Sequence, residues 1–151
     1  MEALNVYLEK EGVESFGTKD SDFLFDPDSS GPGRVLAVLR KMKFPEEIHI
    51  LAKLPNREKP LVVYDGAKWR DPKLPNELTL SVVTPLSPYS LDFVFGKPGI
   101  SFTNLWKRSL RAAYFGTPLR IASKEDIIAL KRLAGREKDM LVLARLARHR
   151  F

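Results

Sequence analysis

The chain has no cysteine and only two histidines, His49 and His149, among its 151 residues. The absence of cysteine excludes disulfides, thiolate zinc sites and cysteine nucleophiles, and it favours a cytoplasmic protein. Two histidines are too few for most zinc sites and give little support to a Ser-His-Asp triad. No apolar run is long enough to span a membrane, and residues 1–4 do not resemble the start of a signal peptide. We therefore expect no membrane partner and a chemistry that depends on other side chains.

The residues that are present have the composition of a globular protein. Hydrophobic residues make up 44% of the chain and aromatic residues 10%, which is enough for a core in a domain of this length. No repeat, low-complexity segment or internal boundary is visible. The sequence therefore predicts a single domain over residues 1–151.

Charge is distributed unevenly along the chain. Residues 1–96 carry 12 Lys and Arg against 15 Asp and Glu, whereas residues 97–151 carry 13 against 4. A basic C-terminal third could attract a polyanion such as RNA or the triphosphate of a nucleotide. Solvated helix faces explain the same excess of charge, so charge alone leaves both interpretations open.

The spacing of apolar residues predicts an α+β fold, with a mixed sheet flanked by helices and a helical C-terminal region. Strands are expected at residues 13–25, 48–54, 60–64, 77–83, 90–95 and 119–122, and helices at residues 2–11, 35–44, 102–115, 124–134 and 136–147.

Proline, glycine and serine mark several of these predicted boundaries. Pro88 should break the chain before the strand at 90–95, and Gly116 should end the helix at 102–115. Ser123, with a carboxylate three residues later, resembles a capping box at the start of a helix that Gly135 should end.

The sequence feature with the most chemical information is an Asp-x-Asp pair, Asp20 and Asp22, in an extended and apolar segment. Side chains alternate along a strand, so both carboxylates are expected on one face. Two like charges this close repel each other unless a cation lies between them. A hard divalent cation with oxygen ligands, such as Mg²⁺, would satisfy both. A solvated turn is the alternative for the pair taken alone.

A third carboxylate, Asp92, lies within the strand predicted at 90–95. Alternation places Leu91, Phe93 and Phe95 on one face of this strand and Asp92 on the other. A charge in an apolar strand costs desolvation energy unless it is paired or coordinated, although an Asp that faces water on an edge strand avoids this cost. Three carboxylates in one sheet could bind two Mg²⁺ ions, which would clamp a nucleoside triphosphate and activate an attacking hydroxyl.

These segments resemble the nucleotidyltransferase superfamily. Residues 18–27, followed by a helix that contains Arg34, are similar to its signature strand, and residues 90–94 are similar to its third-carboxylate strand. Residues 116–131 and 135–139 resemble the C-terminal region of a small bacterial and archaeal branch, the minimal nucleotidyltransferases related to abortive-infection toxins. The resemblance covers most of the chain, and its C-terminal part is the most specific.

The resemblance implies transfer of a nucleoside monophosphate from an NTP to a hydroxyl acceptor on RNA, protein or a small molecule. Asp20, Asp22 and Asp92 would hold Mg²⁺, with room for two ions, and Asp92 could help to deprotonate the acceptor. The implied partners are NTP, tRNA or another RNA, and the cognate antitoxin of a toxin–antitoxin pair. The residues implied in nucleotide binding are Gly17, Thr18, Lys19, Lys131, Arg136 and Lys138.

The sequence departs from the family upstream of the Asp-x-Asp pair. The family has a Gly-Gly or Gly-Ser turn roughly ten residues before the pair, where it cradles phosphate. In this chain Gly12 stands alone, and Gly17 and Thr18 lie only two to three residues before Asp20. The N-terminal part is therefore expected to be shortened relative to the family. The alternative interpretation is a catalytically inactive relative that binds RNA or a protein partner through its basic helices. A carboxylate-dependent nuclease shares the metal chemistry but has no further support.

Overall fold

The computed structural model of the chain describes residues 20–26, 28, 31–114 and 116–148. These residues have the α+β fold that the sequence predicts. They form two compact units, one that ends at Phe102 and one that begins at Thr103. The single domain predicted for residues 1–151 stays a prediction, and the helix predicted at 2–11 lies outside the described residues.

The first unit contains a five-stranded sheet. Its elements in chain order are β1 (Asp20–Phe25), α1 (Pro32–Lys41), β2 (His49–Lys53), β3 (Leu61–Tyr64), β4 (Leu78–Thr84) and β5 (Ser87–Phe95). The strands lie in the order β1-β5-β4-β2-β3. β1 pairs with β5 in parallel, and the other neighbours are antiparallel. The predicted mixed sheet is therefore confirmed. Residues 13–19 of the strand predicted at 13–25 lie outside the described residues, and the other strand ends of this sheet differ from the prediction by a few residues.

One face of this sheet carries the hydrophobic core, because apolar residues alternate along its strands. Ile50, Leu80 and Phe95 are fully buried on that face, and Leu36 and Leu39 of α1 belong to the same cluster. Burial of an apolar side chain of this size contributes roughly 1.5–3 kcal/mol. The core of this unit is thus formed by one face of the sheet together with α1.

The helix predicted at 35–44 is shifted towards the N-terminus in the structure. α1 begins at Pro32, which suits the first helical turn because no partner requires its N–H there. At the other end Met42 is extended, with φ −80° and ψ 144°. Phe44 precedes Pro45, and a residue before proline disfavours the helical conformation. The predicted extension of the helix to Phe44 is therefore wrong.

β5 begins at Ser87, so the prediction that Pro88 breaks the chain before a strand at 90–95 is wrong. On one side, Ser87 pairs with Thr84 of β4. On the other side, β1 pairs with β5 only from Ser90 onward. Among the described strands, none requires an N–H from Pro88 on that side, so proline is tolerated at this edge.

The remaining elements are α2 (Phe102–Arg108), β6 (Leu110–Tyr114), β7 (Thr117–Ile121), α3 (Lys124–Ala134) and α4 (Glu137–Arg148). The helix predicted at 102–115 is correct only as far as Arg108, because the next residues pair with β7 in a two-stranded antiparallel sheet. Gly116 has a φ of +76°, which glycine adopts without the penalty of a Cβ. Gly116 therefore turns a β-hairpin and does not end a helix.

The boundaries of α3 agree with the prediction. The backbone N–H of Asp126 donates to Ser123 Oγ at 3.2 Å. Gly135 has a φ of +59° and donates its N–H to the carbonyl of Lys131, which is a common way for a helix to end. Among the described helices, none has the length and apolar character needed to cross a membrane.

Candidate metal centre

The parallel pairing of β1 with β5 brings the two predicted metal-binding strands side by side. Its register aligns Asp20 with Ser90 and Asp22 with Asp92. Residues paired across neighbouring strands project from the same face of the sheet. The carboxylates of Asp22 and Asp92 are therefore neighbours. Asp20 lies two positions earlier in β1, and the structure describes only its backbone.

Asp92 lies on the face of the sheet opposite the core, as alternation predicts. Phe93 packs against the core and Phe95 is fully buried within it. Asp92 is half-buried, whereas Asp22 is exposed. Two carboxylates on adjacent strands repel each other, and a divalent cation between them would replace that repulsion by attraction.

A serine extends this arrangement to β4. Ser81 lies directly opposite Asp92 in the β4–β5 register and is fully buried. Within the part of the chain that the structure describes, neither Ser81 Oγ nor Asp92 Oδ1 has a hydrogen-bond partner, although both atoms are buried. Buried polar atoms are usually paired, and an unpaired one costs about 1–3 kcal/mol. We call Asp22, Asp92 and Ser81 the polar row.

The polar row fits a hydrated divalent cation. Mg²⁺ keeps several of its waters and is commonly held by one or two carboxylates, which Asp22 and Asp92 supply. The unpaired Oδ1 of Asp92 is an acceptor with capacity for such an ion or for one of its waters. Among the side chains that are described, no group of three or more His, Cys, Asp or Glu residues could hold a metal. The described site thus offers two carboxylates, and the side chain of Asp20 lies outside the description.

Two of the predicted nucleotide-binding cations contact a buried carboxylate in the second unit. Lys131 Nζ lies 3.2 Å from Asp139 Oδ1, and Arg136 Nε donates to Asp139 Oδ2 at 2.6 Å. Asp139 is 1% exposed, and the side chain of Lys131 is 12% exposed. Burial raises the pKa of the Asp139 carboxyl, but the hydrogen bonds from Arg136 and Lys131 outweigh it and hold this pKa below its usual range. Lys131 therefore reaches inward, and Asp139 links α3 to α4.

The structure gives fewer contacts for the other predicted nucleotide-binding residues. Lys138 is exposed on α4. Gly17, Thr18 and Lys19 lie outside the described residues, so their role in phosphate binding stays a prediction.

A second buried carboxylate and its partner are not predicted from the sequence. Asp126, predicted only as a capping residue, is 6% exposed and accepts from Arg108 Nε at 3.0 Å and from Arg108 Nη2. Ser123 Oγ also donates to Asp126 Oδ2 at 2.7 Å. The hydrogen bonds from Arg108, opposed by burial and assisted by Ser123, hold the pKa of the Asp126 carboxyl below its usual range. No local pattern could have paired residues 18 positions apart in this way.

No protein-family model matches the chain, and neither a curated protein nor a solved structure is significantly similar to it. The resemblance to nucleotidyltransferases therefore depends on the residues and motifs named above.

Proposed function

We propose that the protein is a Mg²⁺-dependent nucleotidyltransferase with a nucleotidyltransferase-like fold, which moves a nucleoside monophosphate from an NTP to a hydroxyl acceptor on RNA or protein. The observation that carries this proposal is the register of β1 with β5, which sets Asp22 beside Asp92. These two residues are 70 positions apart in the sequence, and the resemblance requires them to meet. A role as the toxin half of a toxin–antitoxin pair belongs to the same proposal.

The proposed reaction forms one bond and breaks one bond at the α-phosphorus. The acceptor oxygen attacks this phosphorus, the bond to the oxygen that bridges to the β-phosphate breaks, and pyrophosphate leaves with the electron pair. Asp92 could accept the proton of the attacking hydroxyl. Asp20, Asp22 and Asp92 would hold Mg²⁺, which when bound neutralises charge on the triphosphate. Such a transfer depends mainly on positioning and charge, so no histidine is needed.

The resemblance implies that Lys131 and Arg136 contact the triphosphate. In this proposal Lys138, with Gly17, Thr18 and Lys19, supplies further contacts to the nucleotide.

The direct test uses NTPs labelled at the α-phosphate, with Mg²⁺ and total RNA or protein as acceptor. Label should move to the acceptor in the wild type and should not move in Asp22→Asn or Asp92→Asn. Asp28→Asn is the matched control, because Asp28 is an exposed carboxylate just after β1, and it should retain transfer. Label at the γ-phosphate should leave with pyrophosphate. No transfer from any NTP, together with no shift of the melting temperature by Mg²⁺ and NTP, would contradict the proposal.

One observation favours a second candidate, a catalytically inactive relative that binds RNA. Arg111 of β6 lies directly opposite Arg120 of β7, and like charges in this position destabilise a hairpin. Trp106 is half-exposed, with the Arg120 guanidinium 4.5 Å from its ring centre. The Arg120 guanidinium donates to Ser109 and to the carbonyl of Trp106, so Arg111 is the arginine that would contact a phosphate. Aromatic rings beside basic residues are typical of surfaces that bind single-stranded RNA.

The second candidate has its own test in the binding of a labelled RNA oligonucleotide. Arg111→Gln should weaken this binding several-fold and reduce its dependence on salt. Lys53→Gln, which removes an exposed cation from β2 in the first unit, is the control. Equal effects of the two substitutions would show that only net charge matters and would remove this hairpin from consideration.

A further inference from the structure

The proposed transfer reaction assigns no role to the hydroxyl of Ser81. Ser81 lies in the middle of β4, is fully buried, and has no hydrogen-bond partner for Oγ among the described residues. Its neighbours in the strand, Leu80 and Val82, are buried and apolar. A small apolar residue would fill this position without leaving a polar atom unpaired, so packing alone gives no reason for a hydroxyl here.

The position of this hydroxyl connects it to Asp92. Residues directly opposite each other on antiparallel strands have Cβ atoms roughly 4.5–5.5 Å apart and share a face, and Ser81 is opposite Asp92 in this way. The two side chains nevertheless leave Ser81 Oγ and Asp92 Oδ1 both unpaired. Two unpaired oxygens on one face are suited to a water or a hydrated ion that contacts both, because a buried water needs two to four polar partners.

We propose that Ser81 is a positioning residue of the metal centre, whose hydroxyl accepts a hydrogen bond from a water of the hydrated cation that Asp22 and Asp92 bind. This inference rests on the proposed function, and it goes beyond the resemblance, which assigns no role to β4. Mg²⁺ gives up its waters reluctantly, so partners for those waters contribute to its binding. The loss of such an outer hydrogen-bond partner typically lowers metal affinity about 10- to 100-fold.

Ser81→Ala is therefore expected to have opposite effects on cation binding and on the stability of the metal-free protein. The substitution removes a partner of the hydrated cation, so cation affinity should fall. It also removes a buried hydroxyl that is unpaired without the cation, so the melting temperature of the metal-free protein should stay the same or rise. A serine whose hydroxyl is paired within the fold would instead lower the melting temperature when replaced.

The experiment measures Mn²⁺ binding to the full chain without nucleotide, by electron paramagnetic resonance with Mg²⁺ as competitor, and the melting temperature without metal. Ser81→Ala should raise the Kd for Mn²⁺ by roughly tenfold. Thr79→Val is the matched control, because Thr79 lies on the same strand and face, two positions away and opposite Val94. It removes a hydroxyl outside the polar row and should leave the Kd unchanged.

The outcomes separate this inference from the proposed function. If Asp22→Asn and Asp92→Asn lose Mn²⁺ binding while Ser81→Ala keeps it, the metal centre stands and the role of Ser81 is overturned. Equal losses in Ser81→Ala and Thr79→Val also overturn that role, because the effect then lacks position dependence. If the wild type does not bind Mn²⁺, or binds it without need of the two aspartates, both the metal centre and the inference are wrong.

Discussion

Asp139 and Asp92 are both aspartates that the fold withdraws from water, but their surroundings differ. Asp139 is almost fully buried, and its two oxygens accept hydrogen bonds from Lys131 and Arg136. Asp92 has a buried Oδ1 with no partner in the described part of the chain. Its neighbour across the parallel pair is another carboxylate, Asp22.

This difference indicates which carboxylate serves the fold and which is available to a ligand. A paired buried charge is part of the packing, and its loss leaves its partners buried without a counter-charge. An unpaired buried oxygen lowers stability, and local departures from good packing are expected mainly at functional sites. Asp126 resembles Asp139 in being buried and paired, but its partner Arg108 is 54% exposed, so less of the pair is withdrawn from water.

The largest effect is expected from Asp139→Ala. The substitution leaves the Lys131 ammonium inside the protein without a carboxylate, so it should lower the free energy of unfolding by about 3–5 kcal/mol. Urea denaturation measures this change. Arg132→Ala, which removes an exposed cation from α3, is the control and should change stability by less than about 0.5 kcal/mol. A cost below about 1 kcal/mol for Asp139→Ala would contradict a structural role for this carboxylate.

A smaller effect is expected from Asp126→Ala. Because Arg108 can return to water when its partner is removed, the loss of unfolding free energy should be about 1–3 kcal/mol. Glu125→Gln is the control, since Glu125 is an exposed carboxylate in the same helical turn. Thermal unfolding of the three proteins should give the order Asp139→Ala, Asp126→Ala, Glu125→Gln from least to most stable. The reverse order of the first two would show that exposure of the partner cation does not decide the cost.

The pH dependence of stability should follow the same two carboxyls together with that of Asp65, whose pKa is lowered to about 2 by hydrogen bonds from the Lys68 N–H and from Arg70. Asp126 and Asp139 have pKa values below the usual range in the folded protein, whereas an aspartate in the unfolded chain titrates near about 3.9. A lowered pKa stabilises the fold above the unfolded value, and this contribution is lost as pH falls through the folded value. Wild-type stability should therefore decrease below about pH 4. The dependence should be less steep in Asp139→Asn, as measured by urea midpoints at several pH values, and an equally steep one would contradict the pairing.

Much of the sheet could be predicted from the sequence because its strands depend on local alternation. Examples are the strands predicted at 48–54 and 77–83. The end of α3 at Gly135 could also be predicted locally, because glycine commonly ends a helix. The helix predicted at 102–115 is wrong beyond Arg108. Leu110–Tyr114 has a composition compatible with a helix, and only its pairing with β7 makes it a strand. The prediction for Pro88 is wrong for a similar reason. A strand tolerates proline where no neighbour needs its N–H, and this depends on where β1 starts to pair with β5.

The candidate metal centre could be predicted only in part, because its residues come from different strands. The alternation of β5 placed Asp92 opposite the core, and the resemblance suggested that Asp22 lies near it. The position of Ser81 in the site could not be predicted from the sequence. A serine between two apolar residues is common, and only the β4–β5 register places Ser81 opposite Asp92. The pairing of Arg108 with Asp126 could not be predicted for the same reason, because the two residues meet only in the fold.

The smallest change in stability, and the sharpest test of the comparison, is expected from Asp92→Asn. The amide keeps the shape of the carboxylate and removes the repulsion from Asp22, so the free energy of unfolding without metal should change by about 0 to +1 kcal/mol. The stabilisation that Mg²⁺ gives to the wild type should disappear, because binding to the folded state alone is what raises stability. Asp71→Asn is the control, since Asp71 is an exposed carboxylate paired with Arg40, and it should keep the response to Mg²⁺. If Asp92→Asn instead lowers stability by several kcal/mol in metal-free buffer, Asp92 is paired within the fold as Asp139 is, and the carboxylate that we assign to a ligand belongs to the structure.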